Sequence, residues 1–91
     1  MVVISQDRKT LVNFNKVLKM MIVEETKIIL EYDNIDLGEE YMGKYSTAEK
    51  AYAVLDMLFE ACAKNRKCFK MPRDERVRIG REQCENKTDI I

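Results

Sequence analysis

From Ser46 to Lys67 the chain carries one helical pattern, unbroken by glycine or proline, and everything before it is cut into short apolar runs by polar turns. A lone helix cannot bury its own apolar stripe, and the short runs alternate as strands do, so the two must form layers of one α+β domain. The runs are Val2 to Ile4, Leu11 to Phe14, Val17 to Val23, Lys27 to Tyr32 and Glu40 to Tyr45. Their connections are short, which predicts an antiparallel meander of four to five strands. The acidic connection Glu24-Glu25-Thr26 marks a hairpin, because it cannot be buried. Cys68 to Met71 alternates again before Pro72, which suits a short C-terminal edge strand that stops where proline removes a ladder donor.

Ser46-Thr47-Ala48-Glu49 reads as a capping box that starts the helix, and Asn65 with the basic residues after it ends the helix near Lys67. Steps of 100° place Ala48, Ala51, Leu55, Leu58, Phe59 and Cys62 on one stripe, with Tyr52 at one margin and Val54, Met57 and Ala61 at the other. The apolar arc is about 220° wide, against roughly 100° for docking on a single sheet. The excess predicts a second covering surface, either the chain's own C-terminal segment or another copy. Val54, Met57 and Ala61 are the expected oligomer interface. The length allows one core, so the sheet-plus-helix domain is expected over residues 1–72, followed by a charged segment 73–91 with few apolar anchors.

Histidine is absent. That removes Ser-His-Asp and Cys-His nucleophile pairs, a histidine base and mixed Cys/His zinc sites; the acids that remain are scattered without a recognisable spacing. The expectation is a protein that is not an enzyme and carries no metal or other cofactor. Three cysteines, Cys62, Cys68 and Cys84, form no CxxC pair, and the N-terminus runs into a strand pattern rather than a leader, which points to reduced thiols in a cytoplasm. No apolar run approaches the roughly 18 residues that cross a bilayer.

Sixteen bases and sixteen acids cancel overall, yet they are unevenly placed. Residues 24–60 hold ten acids against three lysines, and residues 64–81 hold eight bases against two acids. The basic segment can neutralise the acidic body in cis or across a subunit contact, or it can hold an anion.

The motifs ISQDRKTLVNFNKV, MGKYSTAEKAYAVLDML and CFKMPRDERV, spread over residues 1–79, resemble a group of small uncharacterised proteins from phages and mobile elements of Gram-positive bacteria. The resemblance implies a sheet-plus-helix domain that opens with a Ser-Gln-Asp turn, enters its helix through a Gly-Lys-Tyr junction and closes on a Met-Pro strand end. Here Met42 precedes the motif glycine where leucine is common, and Arg73 and Arg76 stand where acids are expected. The group supplies no catalytic residues to transfer.

Two readings attach to each remaining feature. Ser5, Gln6 and Asp7 form either a ligand-contacting loop or a turn held by side-chain hydrogen bonds. Gly43 allows either close approach of a ligand, or a bulge or close helix-sheet packing. Tyr32, Tyr41, Tyr45 and Tyr52 are core or interface residues before they are stacking platforms. Arg8, Lys67, Lys70, Arg73, Arg76 and Arg78 are the candidate ligand-binding residues, because guanidinium forks clamp phosphate or carboxylate. The reading that follows is a cytoplasmic phage or mobile-element accessory protein that works by binding, as a homo-oligomer, and antagonises a host antiviral defence. It would do so as a sponge for an anionic nucleotide signal or by capping a host protein. The alternatives are a nucleic-acid-binding regulator that uses the basic segment, and a carboxylate-metal nuclease or phosphodiesterase.

Overall fold

The computed structural model describes residues 1–78. Six strands, β1 (Val2–Ile4), β2 (Leu11–Asn13), β3 (Val17–Val23), β4 (Lys27–Tyr32), β5 (Glu39–Lys44) and β6 (Cys68–Lys70), accompany one helix, α1 (Ala48–Ala63). The α+β class with a single long helix is as the patterns indicate. The strands, however, divide into two three-stranded sheets instead of one meander, in the orders β2-β1-β6 and β3-β4-β5. The first contains a parallel pairing, with Val2 opposite Cys68 and Ile4 opposite Lys70.

The division has a local cause. After β2 the chain enters a 3-10 turn at Phe14–Lys16, opened by the Asn13 side chain accepting the Asn15 amide, so the ladder of β2 does not run on into β3. The β3-β4-β5 unit is the antiparallel meander that short connections dictate. Glu24 and Glu25 sit at φ 52° and 70° in the β3–β4 turn, the left-handed conformation that tight hairpins need.

Alternation then sets the inner face. Ile28 and Leu30 are fully buried while Ile29 and Glu31 point away, and Val3, Val12, Met42, Tyr45, Met71 and Val77 complete a single core shared by both sheets and the helix. Between Ile28 opposite Gly43 and Ile29 opposite Tyr41 the ladder has a bulge that leaves Met42 as the extra residue. Its freed carbonyl accepts the Gln6 amide at 2.8 Å, which ties the second sheet to the first.

The helix docks on a face rotated from the expected one, keeping Ala51 and Leu58 of the stripe and adding Ala53, Val54 and Ala61. Thr47, one residue later than the anticipated cap, accepts the Lys50 amide at 3.2 Å, while the Ser46 amide is given to Asp74 Oδ1 at 2.7 Å. At the other end Asn65 adopts φ 56°, the Arg66 amide reaches the Ala61 carbonyl and the Asn65 amide the Cys62 carbonyl, which closes α1 four residues before the expected Lys67. The buried residues are Ala51, Ala53, Val54, Leu58 and Ala61. Val54 and Ala61, expected on an uncovered margin, are thus 0% and 3% exposed within one chain and offer no interface; of that trio Met57 alone keeps a surface, at 38%. Phe59, placed on the docking stripe by its spacing, is 72% exposed. Three alanines on the buried face let the helix backbone come close to the sheets, and the bulkier Phe59 and Tyr52 turn outward.

Residues 73–78 pack on the body: Val77 is buried after a 3-10 turn at Asp74–Arg76. The remainder of the expected C-terminal segment, including Cys84, lies outside the described residues. No helix among the described residues is long and apolar enough to cross a membrane.

Candidate functional site

Three separated stretches meet at the end of β6. Gln6 gives its amide to Met42, accepts the Lys44 amide on Oε1 at 2.9 Å and points Nε2 at the Pro72 carbonyl at 3.5 Å. Tyr45, buried, donates its hydroxyl to the same carbonyl at 2.7 Å. A Cβ added at Gly43 would stand 3.0 Å from Gln6 Cβ, so glycine is what admits Gln6 to this position. The Ser-Gln-Asp turn, the Gly-Lys-Tyr junction and the Met-Pro strand end therefore make one knot, and of the readings of Gly43 the bulge is the one its surroundings match, with the Gln6 side chain and not the helix against it.

The turn is held as side-chain chemistry suggests. Ser5 Oγ donates to Asp7 Oδ1 at 2.7 Å, the Lys9 amide donates to the same oxygen, and the Thr10 amide donates to Ser5 Oγ. The hydroxyl of Ser5, followed by the Lys9 amide, holds the Asp7 carboxyl below the usual carboxylate range. Arg8, at φ 67°, is thrown outward by this turn, and its Nη1 donates to the Met71 carbonyl at 2.7 Å and the Ser5 carbonyl at 3.2 Å. Among the described residues its other guanidinium nitrogens have no hydrogen-bond partner.

Beyond Pro72, Arg73 is the extended cap of the 3-10 turn that ends at Arg76, and the Arg76 amide bonds the Arg73 carbonyl at 2.9 Å. Arg8, Pro72, Arg73 and Arg76 line one cavity of about 300 Å³. Of the three carboxylates adjacent to these arginines in sequence, Asp7, Asp74 and Glu75, the first two bond elsewhere, Asp7 within its own turn. Asp74 accepts the Ser46 amide and faces Lys50 Nζ at 3.4 Å, and these partners, the amide foremost, hold its carboxyl below the usual range. No salt bridge joins Arg8, Arg73 or Arg76 to a carboxylate among the described residues.

The other named bases lie apart. Lys67 lines a separate cavity with Met1, Phe14 and Cys62, Lys70 lies in a groove beside α1, and Arg78 is exposed after Val77. Of the seven bases from Lys64 to Arg78, only Lys64 forms a salt bridge with another described residue, Glu60 at 3.7 Å. No three Cys, Asp or Glu side chains among them gather as metal ligands. In comparisons with family models, curated proteins and solved structures, nothing matched this chain significantly. Gln6 and Tyr45, which position the cavity wall without lining it, were visible in sequence only as a turn residue and a core candidate.

Proposed function

We propose that this chain is a non-enzymatic accessory protein of a phage or mobile element, which holds an anionic nucleotide signal and so withholds it from a host antiviral process. The convergence of Arg8, Arg73 and Arg76 around one cavity carries this reading. Guanidinium forks bind phosphate oxygens bidentately, and a phosphate is the commonest small anion that asks for three of them. A cavity of about 300 Å³ is at the small end of ligand sites, so it takes the phosphate end of a nucleotide and leaves the base to project. Sequestration requires affinity alone, which suits a chain without histidine. Capping of a host protein would use the same positive surface against an acidic patch.

Calorimetry of the full chain against a panel of linear and cyclic nucleotides tests the reading. At least one should bind and be recovered chemically unchanged, and Arg73→Ala or Arg76→Ala should weaken it roughly 10- to 150-fold, the worth of one charge-assisted hydrogen bond. Binding unaffected by the double substitution refutes the site, and turnover of the nucleotide refutes the non-enzymatic role. Salt-sensitive binding of duplex DNA in place of any nucleotide would transfer the assignment to a nucleic-acid regulator.

A further inference from the structure

Two apolar clefts with opposite rims lie outside the arginine cavity. One, of about 490 Å³, runs between the C-terminal half of α1 and β6, with Met57 and Phe69 as its apolar surface and Lys64, Arg66 and Lys70 around it. β6 is the edge of its sheet. Its ladder to β1 uses the Lys67 carbonyl and the Met71 amide, so the intervening even residues, Cys68 and Lys70, turn their backbone groups toward the cleft side. Glu60, paired with Lys64, is the single acid there.

The second cleft, of about 430 Å³, is lined by Leu18, Glu31, Tyr32, Asp33, Gly38 and Glu39. The 3-10 turn Ile35–Leu37 adjoins it and adds the exposed Asp36 and Leu37. Leu18 and Leu37 are among the most exposed large apolar side chains of the molecule, at 64% and 58%. Of its acids, Glu31 alone has a salt bridge among the described residues, to Lys19 at the long distance of 4.0 Å.

We infer that these surfaces recognise each other between two copies of this chain, the acid-rimmed leucines of one protomer entering the base-rimmed cleft of another. Each surface offers what the other lacks: exposed aliphatic knobs against an apolar floor, and Asp33, Asp36 and Glu39 against Lys64, Arg66 and Lys70. The uneven distribution of charge along a neutral chain then has a use, because like patches repel and only acid-to-base docking is productive. Unlike patches in contact either close a ring or reciprocate in a two-fold pair. Neither cleft contains Arg8, Arg73 or Arg76, so the inference stands apart from the nucleotide reading.

Native mass spectrometry and sedimentation of the full chain test it. At low salt the species should be a multiple of the 10.7 kDa chain, and high salt should dissociate it. Asp36→Lys with Glu39→Lys, and separately Arg66→Glu with Lys70→Glu, should each give monomers that keep the wild-type circular dichroism and nucleotide binding. Mixing the two variants should restore association, because one native and one inverted acid-base contact become possible. A wild-type monomer at every salt overturns the inference, as does an assembly that either variant leaves intact. So does a monomer whose Arg66 and Lys70 amide resonances shift with an acidic leucine-bearing peptide, which would give the cleft to a foreign partner.

Discussion

Tyr45→Phe removes one oxygen from the centre of the knot and nothing else. The ring is 1% exposed and its hydroxyl donates to the Pro72 carbonyl at 2.7 Å, a carbonyl whose other donor, Gln6 Nε2, stands at the limiting 3.5 Å. The substitution forfeits a buried hydrogen bond and leaves the acceptor poorly served, which costs about 1–2 kcal/mol at neutral pH. With an m-value of about 1 kcal/mol/M for a chain of this size, the urea midpoint followed by circular dichroism should fall by roughly 1–2 M. The alkaline limb gives an independent check. Burial pushes the Tyr45 phenol well above its ordinary value of 10.0, so above about pH 10 the unfolded chain loses this proton before the folded chain does. The folded state then binds more protons than the unfolded one, and stability falls as pH rises, by up to about 1.4 kcal/mol per pH unit for this residue. Tyr45→Phe should flatten that limb without abolishing it, because desolvation also raises Tyr32. An unchanged midpoint at pH 7, or an alkaline limb as steep as the wild type's, would refute the account of Tyr45 as a buried donor.

Two further substitutions compare a residue of the expected stripe that docks with one that does not. Leu58→Ala should cost about 2–4 kcal/mol in urea denaturation, whereas the adjacent Phe59→Ala should stay within about 0.5 kcal/mol, since Leu58 is 4% exposed and Phe59 72%. Gly43→Ala should destabilise by about 1–3 kcal/mol, because its methyl would meet the Gln6 side chain, whose displacement breaks the bond to the Lys44 amide. Equal stability of this variant in the same titration would show that Gln6 can move freely.

Strand positions were legible because each run is bounded by residues that cannot be buried: Val17 to Val23 and Lys27 to Tyr32 match β3 and β4 end to end. Pairing was less legible. The parallel contact of β1 with β6 joins segments at opposite ends of the described chain, and no local spacing announces it. Helix orientation was ambiguous for a physical reason: with an apolar arc of about 220°, hydrophobicity alone does not choose a face, and the choice fell to alanine-sized contacts. Ser46 and Thr47 are both capping residue types, so the sequence alone did not choose between them, and in the fold Thr47 accepts the Lys50 amide. At the candidate site the arginines could be named from their chemistry. That Arg8 joins Arg73 and Arg76 while Lys67 and Lys70 face other cavities depends on the strand order, which is a property of the fold.

The neighbourhood of β1 and β6 also orders events in time. The meander from Val17 to Lys44 closes through short loops and can form while the chain is still emerging from the ribosome. β1, made first, has β2 beside it early but must wait for Cys68 to Lys70 before its other edge is filled. The arginine cavity, which needs Arg8 from near the start and Arg73 and Arg76 from near the end of the described residues, cannot be complete until both stretches have been made.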